Sequence, residues 1–192
     1  EKTEIIKGPS SALYGSGLGG SVNMYTHSIS SNEGNGLVQY GSFNTSKILV
    51  SGGFRSKNNT IWASLSNTNS NGYRENNALN KTTLVSTAEW KIKNLTINST
   101  FLLIDLNAGI PSSLGETMFE TQPQSAAQSW KAIGGFEKYR KAIVGINIIN
   151  KFNEKASNQL TLFGKWNNAY EKRPFNNLDD QTGEIGFRNK YN

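Results

Sequence analysis

Apolar and polar residues alternate with a period of two along most of the chain, in segments of about ten residues separated by Asn- and Gly-rich turns. Residues 82–93 show the pattern: Leu84, Ala88, Trp90 and Ile92 all fall on even positions. Such alternation is typical of β-strands, because successive side chains point to opposite faces of a sheet. The pattern predicts strands over 37–43, 46–56, 60–69, 82–93, 94–107, 141–152 and 159–170, with an eighth starting at Gly186.

The segments between these strands fall into two length classes that alternate after the first hairpin. The short ones are 57–59, 93–94 and 153–157, and the long ones are 71–80, 108–139 and 171–184. The longest includes a possible helical piece at 124–132. Outer-membrane barrels have this asymmetry, with short periplasmic turns and long extracellular loops. The chain is therefore expected to be all-β, as an antiparallel transmembrane β-barrel segment.

The first 27 residues follow a different pattern. A short strand at 3–7 is stopped by Gly8-Pro9, because proline lacks a backbone donor and restricts its predecessor. Four glycines between 15 and 20 permit a tight reversal before a returning strand at 22–26. Their spacing spells a dinucleotide fingerprint, but that motif requires a preceding strand and a following helix, whereas these glycines lead into β-branched and aromatic residues.

Residues 4–27 resemble the end of the plug domain of TonB-dependent outer-membrane receptors. In that family a strand ending in Arg-Gly-Pro precedes a Ser-Ala-Leu-Tyr-Gly-Ser turn, a Gly-Gly pair and an Asn-containing strand. Lys7 and His27 depart from the family pattern, which weakens any plug-to-barrel ion pair but leaves the backbone motif intact. The positions that carry the resemblance are Gly8, Pro9, Ser11, Leu13, Tyr14, Gly15, Gly19, Gly20 and Asn23.

The resemblance implies a fragment of a larger receptor. We expect 1–28 to form the C-terminal end of a plug, 29–36 a linker, and 37–192 the N-terminal part of a barrel of about 22 strands. The chain opens without an initiator methionine or a secretion signal, so the leader and the first part of the plug are expected to lie upstream.

Composition narrows the chemistry. The chain has no cysteine, so neither a disulfide nor a thiolate metal site is available. The formal charge of +6 comes from Lys and Arg spread along strand ends and loops, which favours a solvated or lipopolysaccharide-facing surface over nucleic-acid binding. Neither a catalytic constellation nor a cofactor motif is present, so no enzyme is expected. His27 is the only histidine, and Asp179, Asp180 and Glu184 suit a solvated acidic turn better than a calcium site.

As the resemblance implies, this would be a receptor that takes up a scarce nutrient across the outer membrane of a Gram-negative cell. The nutrient expected is a ferric siderophore or related iron complex, because the family often carries such cargo. Its partners would be outer-membrane lipid, lipopolysaccharide and a TonB-type coupling protein bound through a segment outside this chain. The rivals are a plug-less barrel, such as a porin or adhesin translocator, and a secreted glycan-binding β-sandwich.

Aromatic and cationic side chains in the long loops are the candidates for contact with cargo. These groups suit a chelated, often anionic metal complex. The candidates are Tyr73, Arg74, Trp130, Lys131, Tyr139, Arg140 and Arg173.

Overall fold

The computed structural model describes residues 2–8, 19–27 and 29–192. The chain divides into two compact units, 1–30 and 31–192. Of the plug-like motif, Gly8, Gly19, Gly20 and Asn23 are described. Pro9, Ser11, Leu13, Tyr14 and Gly15 lie outside the described residues.

The first unit contains an antiparallel hairpin. Strand β1 (Lys2–Lys7) pairs with β2 (Gly20–Tyr25), with Ile5 opposite Val22. Gly20 has a φ of +121°, and a side chain there would collide with the carbonyl oxygen of Ile6. Only glycine fits this start of the returning strand. The two strands predicted at 3–7 and 22–26 are therefore present, each shifted by a residue or two.

The second unit is one sheet of eight antiparallel strands, in which each strand pairs with the next along the chain. The predicted count of eight is confirmed. The strands are β3 (Glu33–Gly41), β4 (Thr45–Arg55), β5 (Asn59–Ser70), β6 (Leu79–Ile92), β7 (Leu95–Gly109), β8 (Phe136–Lys151), β9 (Ser157–Lys172) and β10 (Asn177–Tyr191).

The structure corrects the last predicted loop. Strand β10 begins at Asn177 rather than Gly186, so the connection to β9 is a turn at 173–176 and not the loop predicted at 171–184. Residues 177–184 are polar at nearly every position, which hides the strand period. Their polar groups are used within the sheet: Asp180 accepts hydrogen bonds from Asn167 at 2.8 Å and Thr182 at 2.7 Å.

The long connection between β7 and β8 contains two short helices, α1 (Glu116–Thr121) and α2 (Gln128–Ile133). The helix predicted at 124–132 is thus only partly correct. Residues just before α2 bond elsewhere: the Ala127 amide donates to the carbonyl of Pro111 at 2.8 Å. Helix α1 lacks a side-chain cap, which removes its usual sequence signal.

The cross-strand register separates the sheet into two faces. Residues directly opposite on neighbouring strands share a face, so the row Leu65, Leu84, Leu103, Ala142 and Trp166 lies on one side. We call this the apolar face and the other the polar face. The apolar band also includes Val38, Ile48, Val50, Ile61, Leu95, Ile97, Phe101, Val144, Ile146, Ile148, Leu160, Leu162, Ile185 and Phe187.

Nothing else in the second unit covers the apolar band. Among the described residues the only buried apolar side chains are Ile29 and Ala126, while Val38 is 78% and Phe187 75% exposed. A continuous apolar surface of this size marks a site of contact with a membrane or another protein. On β7 the band runs from Leu95 to Leu103, about 27 Å at about 3.4 Å per residue. After a strand tilt of about 35–45° this projects to about 20 Å, somewhat less than the apolar height of about 25 Å in outer-membrane barrels.

The search of the described residues for a helix that is both long and apolar enough to cross a membrane finds none.

Aromatic residues lie at both limits of the apolar band. Trp90 lies toward the end that carries the short turns, and Trp166 and Tyr170 lie toward the end that carries the long loops. This agrees with interfacial girdles. Trp62 also lies near a strand end, but it stands opposite Thr87 on the polar face and therefore does not belong to these girdles.

The register can be tested with engineered cysteines, because the chain has none of its own. Thr100 lies opposite Gly145, and Phe101 opposite Val144. We expect a disulfide from at least one of the pairs T100C/G145C and F101C/V144C, since directly opposite residues bring their Cα atoms to about 4.5–5.5 Å. The control pair T100C/V144C puts the thiols on opposite faces and should stay reduced. Cross-linking scored by mobility after mild oxidation measures this, and a disulfide in the control alone would mean a register shifted by one residue.

Candidate functional site

The long connections gather at one end of the sheet. We call this the long-loop end; it carries the turn 42–44, the loops 71–78 and 110–135, and the turn 173–176. The opposite end carries only the turns 56–58, 93–94 and 152–156. Because β5 and β6 adjoin β7 and β8 in the sheet, the two long loops emerge side by side.

Arg74 attaches the first long loop to the second. Its Nε donates to the carbonyl of Ser125 at 2.9 Å, its Nη1 to Ser112 at 2.6 Å, and its Nη2 to Pro111 at 3.4 Å. One guanidinium group thus donates to three carbonyls of the second loop, of which that of Pro111 also accepts from the Ala127 amide. This geometry assigns Arg74 a structural contact within the protein, whereas the sequence pattern predicts contact with cargo.

Glu75 makes a second connection between the same loops. Its Oε1 lies 2.7 Å from Nζ of Lys131, and its Oε2 accepts from the Ala126 amide at 3.2 Å. Its own amide donates to the carbonyl of Gln124 at 2.8 Å. The hydrogen bond from Lys131, then that from Ala126, lower the pKa of Glu75 below its ordinary value, and burial opposes them weakly. Glu75 is therefore anionic at neutral pH and paired with Lys131.

Asn76 completes the attachment from the base of the loops. Its Nδ2 donates to the carbonyls of Ile110 and Gly135, both at 2.8 Å. Its backbone has a φ of 52°, and its carbonyl lies so close to Gly109 that a side chain at position 109 would collide with it. We call Arg74, Glu75 and Asn76 together the loop clasp. Through it, loops 71–78 and 110–135 form one packed body.

The aromatic candidates Tyr73 and Trp130 lie in this body. The Tyr73 ring meets Phe43 edge-on, with centroids 5.4 Å apart, and remains 47% exposed. The ring of Trp130 covers Gly135, where a side chain would not fit. Lys172 fixes the end of α2 by donating to the carbonyl of Ile133 at 2.7 Å.

Tyr139 and Arg140 are strand residues, since β8 begins at Phe136 inside the stretch predicted as loop. Their side chains therefore lie on opposite faces. On the apolar face, Arg140 contacts Asp105 with Nη2 at 2.6 Å and Nε at 2.8 Å. On the polar face, Nζ of Lys141 lies 5.3 Å from the centre of the Tyr139 ring.

Arg173 lies in the turn 173–176 and contacts its neighbour Glu171 at 2.7 Å. This hydrogen bond raises the pKa of Arg173. The structure thus places Tyr73, Arg74, Trp130 and Lys131 in the two joined loops, whereas Tyr139 and Arg140 lie in strand β8 and Arg173 in the turn 173–176. Whether any of the seven contacts cargo stays a prediction.

Sequence reasoning missed Glu75 and Asn76. The only signal available is an acid in one polar loop and a lysine in the other, which does not reveal a pairing across 56 positions. Among the residues that the structure describes there is no group of three or more metal-ligating side chains. The acids Asp179 and Asp180 lie in β10 on opposite faces, not in an acidic turn. The chemistry available here is that of binding through aromatic rings, amides and cations.

A solved structure is similar to almost the whole chain: a crystal structure of the ferric citrate transporter FecA in the unliganded form. The likeness covers 98% of this chain with a TM-score of 0.81, at 16% sequence identity. It supports a TonB-dependent receptor-like fold. This chain spans about 30% of the length of that transporter. No family model matches the sequence, and no curated protein matches it.

The predicted all-β fold with antiparallel sheets is confirmed. The likeness at this identity concerns the fold, so cargo and partners belong to the proposal below.

The loop clasp predicts a local effect of pH. Replacing Glu75 by Gln removes the carboxylate that holds Lys131 and the Ala126 amide, so amide hydrogen exchange in 110–135 should become faster. Glu120→Gln, in α1 of the same loop, is the matched control and should leave exchange unchanged. The pKa of Glu75 is lower in the folded protein than in the unfolded chain, so its ionised carboxylate stabilises the loop contact fully at pH values above the ordinary pKa of a glutamate. That stabilisation is lost as the pH falls through the lowered pKa of the folded state. Equal exchange in both variants would contradict the role given to Glu75.

Proposed function

We propose that this chain belongs to an outer-membrane receptor of the TonB-dependent type, which takes up an iron complex from outside the cell. In this proposal residues 1–28 are the end of the plug, 29–36 the linker, whose last residues from Glu33 already pair within β3, and 37–192 the first strands of the barrel. Transport is gated passage without covalent chemistry. Energy comes from a TonB-type partner that acts on a segment outside this chain.

One observation carries the proposal most directly: a single-layer antiparallel meander has an uncovered apolar band on one face and all its long loops at one end. A bilayer covers such a band, and the end with the long loops then faces the outside. The likeness to a ferric citrate transporter and the plug-like motif at 4–27 support the same assignment.

The two rival functions account for fewer of these observations. A secreted sandwich needs a second sheet against the apolar face, and within the second unit the described residues form only one sheet. A porin or adhesin translocator would share the sheet but has no use for the Gly-Gly hairpin of β1 and β2. The Gly20 geometry and the motif around it favour the plugged receptor.

The cargo is proposed to be an iron chelate, either a ferric siderophore or a related complex, bound at the long-loop end. The exposed ring of Tyr73 lies there, and Lys131, although paired with Glu75, keeps 49% of its side chain exposed beside Trp130. Arg74, whose nitrogen atoms bond to loop carbonyls, would position the loops that present these groups. Contact with cargo by Tyr139, Arg140 or Arg173 remains part of the proposal.

Transport can be tested in the cells that make the full-length protein. A deletion strain should lose growth on one ferric complex as sole iron source while keeping growth on others, and uptake of that complex labelled with radioactive iron should stop when the proton gradient is collapsed. Restoring the gene should restore both. Uptake that persists without the gradient would indicate a passive porin, and unchanged growth on every iron source would remove the assignment to iron.

The orientation of the two faces gives a separate prediction in the same cells. Phe101→Arg puts a charge in the apolar band and should cost about 2–4 kcal/mol of stability in the membrane, lowering the amount of heat-resistant, folded receptor. Thr100→Arg, one residue away on the polar face, is the matched control and should assemble normally. Comparable loss in both variants, or loss only for Thr100→Arg, would mean that the apolar face is not the lipid-facing one.

A further inference from the structure

The sequence contains the dipeptide Asn-Gly at two places, 35–36 and 71–72. Asparagine is among the heat-labile residues of proteins. It reacts most readily before glycine, because a following residue without a side chain leaves its backbone nitrogen open to attack the asparagine side chain. The two pairs lie in different structures. Asn35 and Gly36 are paired within strand β3, whereas Asn71 and Gly72 follow the end of β5 in loop 71–78.

Asn71 combines an exposed side chain with a fixed backbone. Its side-chain amide has no hydrogen bond to any residue that the structure describes. Together with Ser70 it borders a shallow open depression of about 500 Å³, so water reaches both residues. Its backbone amide donates to the carbonyl of Phe43 at 2.9 Å. The side chain can therefore rotate toward the next peptide group while the main chain stays in place.

The packing of the loop requires glycine at position 72. Gly72 has a φ of +78°, and a side chain there would collide with the carbonyl oxygen of Asn77. A bulkier residue at this position would protect Asn71, but it would not fit the loop. The reactive pair at 71–72 is thus a consequence of how the loop folds.

The backbone nitrogen of Gly72 lies next to a proton acceptor. Its N–H donates to Oγ of Ser70 at 3.1 Å. Oγ of Ser70 lies 2.8 Å from Oγ1 of Thr45, so a hydroxyl that accepts the proton of Gly72 can pass its own proton on. Gly36 has a different setting, because it lies inside the antiparallel pair of β3 and β4, opposite Val50.

We propose that Asn71 is a site of spontaneous conversion to aspartate and isoaspartate, assisted by Ser70. The nitrogen of Gly72 attacks Cγ of Asn71 and forms a C–N bond, while its proton leaves through Ser70 to water. The side-chain nitrogen takes up a proton and departs as ammonia, which leaves a cyclic imide. Water then opens the imide at one of its two carbonyls and produces one new carboxylate. The reaction needs water alone, without an oxidant or a reductant.

The isoaspartate product changes the long-loop end. In this product the main chain runs through the former side chain, so the backbone gains one atom between positions 71 and 72. Gly72 already lies against Asn77, and the hydrogen bond from position 71 to Phe43 lies directly before the added atom. We expect a looser contact between turn 42–44 and loop 71–78, together with a new negative charge. This inference goes beyond the proposed function and does not depend on the identity of the cargo.

The test uses the full-length protein, purified in its folded state and incubated at mildly alkaline pH. Peptide mapping by mass spectrometry follows positions 71 and 35 separately, and a protein isoaspartate methyltransferase provides a second readout. We expect position 71 to convert about ten-fold faster than position 35, because the pairing of β3 must open locally before Asn35 can react. In protein unfolded by guanidinium chloride the two positions should convert at similar rates. Equal conversion in the folded protein would overturn the inference.

Two serine variants test the role of Ser70. Ser70→Ala removes the proton acceptor and should slow conversion at position 71 by about five-fold, as loss of one hydrogen bond would. Ser66→Ala is the matched control, because it removes a hydroxyl from the same strand and the same face, and it should leave the rate unchanged. Faster conversion in Ser70→Ala would mean that the hydrogen bond protects Gly72, and it would overturn the assistance assigned to Ser70.

The structural consequence has its own measurement. Amide hydrogen exchange in turn 42–44 and loop 71–78 should be faster in the converted protein than in fresh protein. Asn71→Gln, whose longer side chain disfavours closure of the ring, should keep its exchange unchanged through the same incubation. Identical exchange in fresh and converted protein would contradict the expected loosening.

Discussion

The backbone hydrogen-bond register between neighbouring strands is the constraint on which the rest of the structure depends. It fixes which residues stand opposite one another, and because side chains alternate along a strand it assigns every residue of β3 to β10 to one of two faces. A shift of one residue between any two strands would move apolar side chains onto the polar face. Within its own unit the sheet has no second layer packed against the apolar face. The backbone hydrogen bonds between strands, together with whatever covers the apolar face, must therefore keep the side chains on their two faces.

The same ladder determines what the loops can do. Since each strand pairs with its neighbour in sequence, loops 71–78 and 110–135 leave adjacent strands at the same end, and three consecutive residues suffice to join them. Arg74, Glu75 and Asn76 use a guanidinium, a carboxylate and an amide to satisfy loop carbonyls, an ammonium and a backbone amide. The long connection 110–135, whose backbone groups would otherwise face solvent, is thereby joined to loop 71–78 at the long-loop end.

The proposed function uses two parts of this architecture. In that proposal cargo binds at the long-loop end, where the joined loops carry aromatic rings and cations, and the bilayer covers the apolar band. Lys131, Arg140 and Arg173 each have an acidic partner, so these cations already take part in contacts within the protein.

The sequence by itself determined the strand count, the class of fold and the sorting of short and long connections. The reason is that apolar residues alternate with polar ones along each strand, as Leu84, Ala88 and Trp90 do. The sequence did not reveal the start of β10, where polar residues occupy both faces. Tertiary structure alone decided the roles of Arg74 and Glu75, since their partners lie more than thirty positions away along the chain. The local alternation of apolar and polar residues indicates which face a side chain takes within its strand. Contacts between loops depend instead on which strands pair with one another in the sheet.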